Sequence, residues 1–231
     1  MTQAAGFVYT QDRITKDGIP FQLRPARVSD ADQIVANISA VCAEKVYLYT
    51  DDFVLTDEWR DALINSVDEE RGRLLLAAEV GEQVVGHLRL FSAWYGAKGR
   101  HVGEIGLAVI QPWREREIGK AMLEYALQWA VLAGFQKVTA NVFANNKRAL
   151  NLFSLYNFAP EGFRAKQLLV EGNYVDEILL GRFLHSDQHV HRTGGLSCLA
   201  KSTEQKFSSG GRKRSLSSSK CLIHQKHASG F

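Results

Sequence analysis

Apolar positions recur along the chain with two periods, and the switches between them predict the order of elements. Residues 21–26 (FQLRPA) alternate and predict a strand. Ile34, Val35, Ile38, Val41 and Cys42 follow at helical spacing and predict a helix ending near Glu44. Ser29 stands as its expected N-cap, with Asp32 in capping-box register. Trp59, Leu63, Ile64 and Val67 predict a second helix, capped by Thr56. Residues 74–80 and 84–91 read as a hairpin around Gly81-Glu82-Gln83, and residues 101–110 as the next strand. Ile118, Met122, Ala126, Trp129 and Ala133 form an i, i+4 stripe, which Gly134 ends. Residues 137–144 predict a strand. Asn146 then caps a short helix through Tyr156, and Asn157 suits a left-handed exit. Residues 163–170 and 174–184 close the pattern as a hairpin around Glu171-Gly172-Asn173. The order β-α-α-β-β-β-α-β-α-β-β predicts a single-domain α/β fold, a mixed and mostly antiparallel sheet flanked by helices.

Composition marks where this pattern stops. The chain has 231 residues, 45% of them hydrophobic, enough for one good-sized core. Residues 1–20 are polar and read as a loosely held lead-in. Residues 21–185 carry the periodicity. Residues 186–231 turn rich in Ser, Lys, Gly and His and are expected to be a disordered basic tail. The tail has eight Lys/Arg against two Asp/Glu; of the net +3 it therefore holds +6 and leaves −3 on the rest. A net-negative body argues against a nucleic-acid partner. The tail's Arg212-Lys213-Arg214-Ser215 run reads as a solvated extension or as a modification or targeting signal. Three cysteines, Cys42, Cys198 and Cys221, have no metal spacing, so no metal is expected, and their odd number suggests a reducing compartment. With no apolar leader and no window of membrane-span length, the expectation is a soluble cytoplasmic protein without a membrane partner.

The chemistry concentrates in residues 101–121. A strand runs through a short polar loop into a helix, and the first helical N–H groups have no partner within the helix, which makes an anion site. By strand alternation Glu104 shares a face with Val102, Gly106, Ala108 and Ile110, whose small members leave room for a ligand. Ile105, Leu107 and Val109 face the core. Glu104 is thus either a proton acceptor or a half-exposed strand glutamate paired with a cation. The aromatic and acidic residues 47–55 (YLYTDDFVL), together with Trp94 and Tyr95, read either as walls of a site or as connecting loops; Asp51 and Asp52 attract a cation in the first reading. His87 and His101 read as structural.

Three stretches in order, GEIGLAVIQPWREREIGKAML, VFANNKRALNLFSLYNF and EGF…EGNYVDEILLGRF, resemble the GNAT superfamily of N-acetyltransferases over about residues 21–184. The last resembles the branch that acetylates small-molecule amino groups. The resemblance implies acetyl-CoA as co-substrate and an amine acceptor, with transfer by direct attack. It implies Glu104 as general base, Leu107, Ala108 and Val109 as a rail for the pantetheine and thioester, and the loop and helix start from Arg114, Glu115, Arg116, Glu117, Ile118 and Gly119 to Lys120 and Ala121 as the pyrophosphate cradle. It also implies cofactor contacts from Asn146, Ala149 and Phe153. Two departures stand out. The family loop reads Arg/Gln-x-x-Gly-x-Gly/Ala, and here Glu117 occupies the first glycine position, with Glu115 at another position that is often glycine. The family's tyrosine, which serves the leaving thiolate, is Phe153 here, which leaves Tyr156, three residues on, as the substitute acid. A homodimer is compatible with the resemblance. The alternatives are an acyl-CoA-binding module with little turnover and a protein N-terminal acetyltransferase.

Overall fold

The computed structural model describes residues 7–49, 53–93 and 96–184. Its strands are β1 (Gln11–Ile14), β2 (Pro20–Pro25), β3 (Val67–Asp68), β4 (Arg73–Val80), β5 (Gln83–Ser92), β6 (Val102–Val109), β7 (Lys137–Phe143), β8 (Ala159–Val170) and β9 (Asn173–Phe183). The helices are α1 (Ala31–Cys42), α2 (Asp57–Ile64), α3 (Ile118–Leu132) and α4 (Lys147–Leu155). The strands form one sheet in the order β1-β2-β4-β5-β6-β7-β9-β8, with β3 paired to β4. The β6–β7 pairing is parallel and the other pairings are antiparallel. This is the predicted α/β class, with β1 and β3 added.

Alternation along the strands builds two cores. Leu74, Leu76, Leu88, Leu90, Ile105 and Val109 pack against α3 through Met122, Ala126 and Trp129, each of these three fully buried. Leu75 and Ala77 point to the other face and meet Ile34 and Ile38 of α1 and Trp59 and Leu63 of α2. Removing a leucine-sized side chain from water contributes about 1.5–3 kcal/mol, so these faces hold the helices in place.

Two local expectations are corrected. The lead-in is not uniformly loose: β1 pairs with β2 through a tight turn at residues 15–19. Gly18 takes φ +88° there, and the Thr15 hydroxyl accepts the Ile19 N–H at 2.9 Å while donating to Asp17 at 2.7 Å. A four-residue polar edge strand has too little apolar alternation to be read from sequence. Nor does Ser29 cap α1. The chain enters through a 3₁₀ turn at Val28–Asp30, whose Asp30 is gripped at 2.7 and 2.9 Å by the buried Arg24 guanidinium and accepts the Arg27 N–H at 2.7 Å. Asp30 thus stands at the N-cap position of α1 without a side-chain cap bond, its carboxylate being spent on Arg24 and the Arg27 N–H.

Other caps follow expectation. Thr56 accepts the Trp59 N–H, Asn146 accepts the Ala149 N–H at 3.0 Å, and Asn157 leaves α4 at φ 59°. The expected wall residues Asp51, Asp52, Trp94 and Tyr95, and the tail 186–231, lie outside the described residues.

Candidate active site

The site begins where β6 and β7 part. Their parallel register runs from Val102–Lys137 to Glu104–Thr139, after which β7 follows β9 alone to Phe143. On its other side β6 stays paired with β5 as far as Val109. The Ala93 N–H bonds Val102 O at 2.7 Å and the Ile110 N–H bonds Val85 O at 3.1 Å. The antiparallel ladder between them turns the main-chain groups of residues 102, 104, 106, 108 and 110 toward β5. Leu107 and Val109 therefore present theirs to the opening splay, and Val109 O accepts Arg114 Nε at 2.7 Å. Polar main-chain groups at an unpaired strand edge need partners, and a ligand laid along the splay meets that need.

Two cavities meet at this edge. One is a cleft of about 400 Å³ that runs from Leu107, Ala108 and Val109 to the start of α3. The other is a pocket of about 80 Å³ around Glu104, Arg89, His87 and Tyr49. Tyr47, Leu48, Leu107, Ala108, Asn146, Ala149 and Phe153 line both, so each opens toward the other.

The loop leading into α3 explains the glycines of the family pattern. Glu115 (φ 63°) and Glu117 (φ 71°) both sit in the left-handed region, where a side chain costs about 1–2 kcal/mol and glycine costs little. Both carboxylates have turned to cations, Glu117 to Lys120 at 2.5 Å and Glu115 to Arg148 at 3.1 Å. The hydrogen bond from Lys120 is the main reason that the Glu117 carboxyl is held below its usual range. Arg114 is likewise committed. Its guanidinium grips Glu44 at the end of α1 and lies 5.0 Å over the Tyr47 ring. Arg116 is turned out of the cleft to Asp17, over the Trp113 ring. The positive charge that Arg114, Arg116 and Lys120 bring to the loop is thus largely met within the protein.

Among the other expected cradle residues, Gly119 lines the cleft, and a Cβ there would lie 3.6 Å from Leu152 and 3.8 Å from Leu107. Ile118 is buried in the core, so only its main chain is available to a ligand, and Ala121 packs against the core with its N–H already spent on Glu117 O at 3.0 Å. Asn146, Ala149 and Phe153 come together on the cleft wall. Tyr156 does not join them. Its backbone caps α4, with the N–H on Phe153 O at 3.0 Å, but its hydroxyl donates to Glu124 on α3 at 2.6 Å. Burial and that carboxylate raise its pKa, and the hydroxyl keeps its proton on α3 instead of facing the cleft. The assignment of Tyr156 as the acid is corrected on this ground.

The smaller pocket adds groups that sequence spacing alone does not bring together. Glu104 is 38% exposed and lies 3.4 Å from Arg89 Nη2. His87 is buried against Trp59, and burial pushes its pKa down to about 4, so it is neutral. The Tyr49 hydroxyl turns inward and donates to Glu177, a buried carboxylate on β9 that also receives Arg164 Nη1 at 2.6 Å. Burial first, then Glu177, raises the Tyr49 pKa and keeps this phenol protonated. Among the described residues, no group of three or more His, Cys, Asp or Glu is arranged to hold a metal ion. None of the helices described is long and apolar enough to cross a membrane.

Comparison with known proteins decides the family. The model of the acetyltransferase (GNAT) family matches residues 37–158, a little over half of the chain. The chain belongs to the GNAT family. Among curated relatives, this GNAT chain is 29% identical over 111 residues to the L-amino acid N-acetyltransferase AaaT of Escherichia coli (strain K12), covering 46% of its own length and 66% of AaaT. It is 26% identical over 163 residues to YwnH of Bacillus subtilis (strain 168), provisionally named a phosphinothricin acetyltransferase, covering 70% of its own length and 98% of YwnH. A shared fold is seen with YncA of Salmonella typhimurium, a provisionally assigned acetyltransferase solved with acetyl-CoA: TM-score 0.65 and 16% identity, over 71% of this chain and 94% of that one. Membership carries the family's chemistry, N-acetyl transfer with acetyl-CoA as co-substrate. The unpaired edge of β6, the left-handed turn into α3 and the long cleft joining them fit that co-substrate.

Proposed function

We propose that this GNAT protein acetylates the primary amine of an amino acid or a closely similar small molecule, by direct attack and with Glu104 as general base. One observation carries the reading. The Glu104 carboxylate stands in a small pocket that shares the Leu107–Ala108 edge of β6 with the long cleft. Acetyl-CoA supplies the acyl carbon and the thiolate leaving group. The free edge of β6 at Leu107 and Val109 steadies the pantetheine, and an N–H there stabilises charge developing on the carbonyl oxygen. The main-chain donors of residues 115–119 hold the pyrophosphate, the Arg114 N–H being spent on Gln111 O. Glu104 takes the proton that the amine must lose before attack. Phe153 offers no hydroxyl, so the leaving thiolate takes its proton from water.

The acceptor class rests on the pairing of Glu104 with Arg89. A carboxylate and a guanidinium 3.4 Å apart on one wall complement a molecule that carries both an amine and an acid. The names of AaaT and YwnH point the same way. Residues 21–185 form the proposed catalytic domain and 186–231 a basic tail. The proposed setting is the cytoplasm, with no nucleic-acid or membrane partner and with a homodimer as the candidate assembly.

The test is thiol release from acetyl-CoA with a panel of free L-amino acids, their carboxamides and plain alkylamines. Turnover concentrated on the free acids is expected. Turnover confined to the amides and alkylamines would overturn the acceptor class. Phe153 favours a second reading, an acyl-CoA-binding module, and binding of acetyl-CoA without turnover on any amine would establish it instead.

A further inference from the structure

We propose that Lys16, at the tip of the β1–β2 hairpin, is a ligand for a cofactor phosphate, so that this hairpin forms part of the cofactor site. The inference rests on the cleft being the acetyl-CoA site. Lys16 lies outside the stretch matched by the family model and within a segment that sequence alone gives no reason to place near a cofactor.

Three observations support it. First, Lys16 lines the 400 Å³ cleft at the end formed by the loop into α3. Second, the tip is fixed in that position. The Lys16 N–H donates to Arg116 O at 3.2 Å, Asp17 pairs with the Arg116 guanidinium, and Thr15 ties Asp17 and Ile19 into the turn. The segment leading into the hairpin is anchored as well: Phe7 packs on Tyr125, whose hydroxyl donates to Tyr9 O at 2.9 Å. Third, the other cations lining the cleft are already matched. Arg114 is held by Glu44, Lys120 by Glu117 and Arg148 by Glu115. Among the described residues, Lys16 is the cation on that wall with no carboxylate within 4 Å. Glu115 and Glu117, in place of the family's glycines, add negative charge beside an anion site. A lysine delivered from another element meets the phosphate with the Glu117–Lys120 and Glu115–Arg148 pairs left in place, and its charge also acts on Glu117 across the cleft end.

The test is calorimetric binding of acetyl-CoA and of 3′-dephospho-CoA to full-length wild type, Lys16→Ala, Lys16→Arg and the control Lys98→Ala, at low and moderate salt, with thermal melts to check folding. Lys16→Ala is expected to weaken acetyl-CoA binding about fivefold to tenfold and to flatten its salt dependence. Lys16→Arg is expected to retain most of the affinity, and Lys98→Ala all of it. A loss that persists with 3′-dephospho-CoA places Lys16 on the pyrophosphate, and a loss that vanishes places it on the 3′-phosphate. Folded Lys16→Ala that binds acetyl-CoA as tightly as wild type, with the same salt dependence, overturns the proposal. Wild type that does not bind acetyl-CoA overturns the reading of the cleft along with it.

Discussion

The two faces of β5 and β6 differ in what they hold. Toward α3 lie Leu88, Leu90, Ile105 and Val109, closed over by Met122 and Trp129 with little water access. Toward α1 and α2, the same two strands present His87, Arg89, Glu104 and Gly106. One face is filled to the density of a core. The other keeps ionisable groups half sealed beside a pocket, where each costs stability unless it finds a partner. The sheet separates the two tasks by strand alternation alone. On β5 and β6 the α3 side is given to packing, and the other side can keep a neutral buried histidine and a carboxylate held open.

Changes on the two faces should therefore fail differently. The largest effect expected is on the closed face. Leu88→Ala removes a fully buried side chain and should cost about 2–5 kcal/mol in denaturant unfolding while leaving the KM for the acceptor near wild type in the folded fraction. If the acceptor KM shifts strongly instead, the two faces are not separate. The next effect belongs to the open face. The folded-state pKa of His87, about 4, lies below its ordinary 6.5. Between those values the unfolded chain binds a proton that the folded chain refuses. The contribution of His87 is thus fully present above pH 6.5 and is lost as pH falls through 4, by at most about 3 kcal/mol. His87→Gln should flatten the pH dependence of stability in that window; an unchanged slope would mean that other groups set it.

The smallest effect lies in the turn that carries β6 into α3. Glu117→Gly removes a side chain from a left-handed position and frees Lys120. It should raise stability by about 1 kcal/mol and tighten acetyl-CoA binding severalfold. Weaker binding would show that the Glu117–Lys120 pair helps to shape the cradle.

Much of this arrangement is legible in the residue pattern, because its causes are local. The α3 stripe, the caps at Thr56, Asn146 and Asn157, and the exposure of Glu104 beside Gly106 follow from periodicity and side-chain chemistry. What is not legible depends on partners distant in sequence. Tyr49 and Glu177 are 128 residues apart, and nothing in the alternation of β9 marks Glu177 as buried. Lys16 reaches the cleft only because a polar hairpin too short to show a period docks on Arg116 O. Tyr156 is misplaced for the same reason: its backbone stays on the turn above Phe153, but its hydroxyl goes to Glu124, 32 residues away on α3. The two left-handed glutamates show the reverse: their sequence oddity is visible at once, but its conformational meaning appears only when φ is known.

In the proposed mechanism Glu104 takes the proton from the acceptor amine. The most direct measurement is the kcat/KM of Glu104→Gln for its best amine, beside its Kd for acetyl-CoA. A fall of about 100-fold to 10,000-fold in kcat/KM is expected, with the Kd unchanged. Turnover within about twofold of wild type would contradict it, because a general base contributes far more than that.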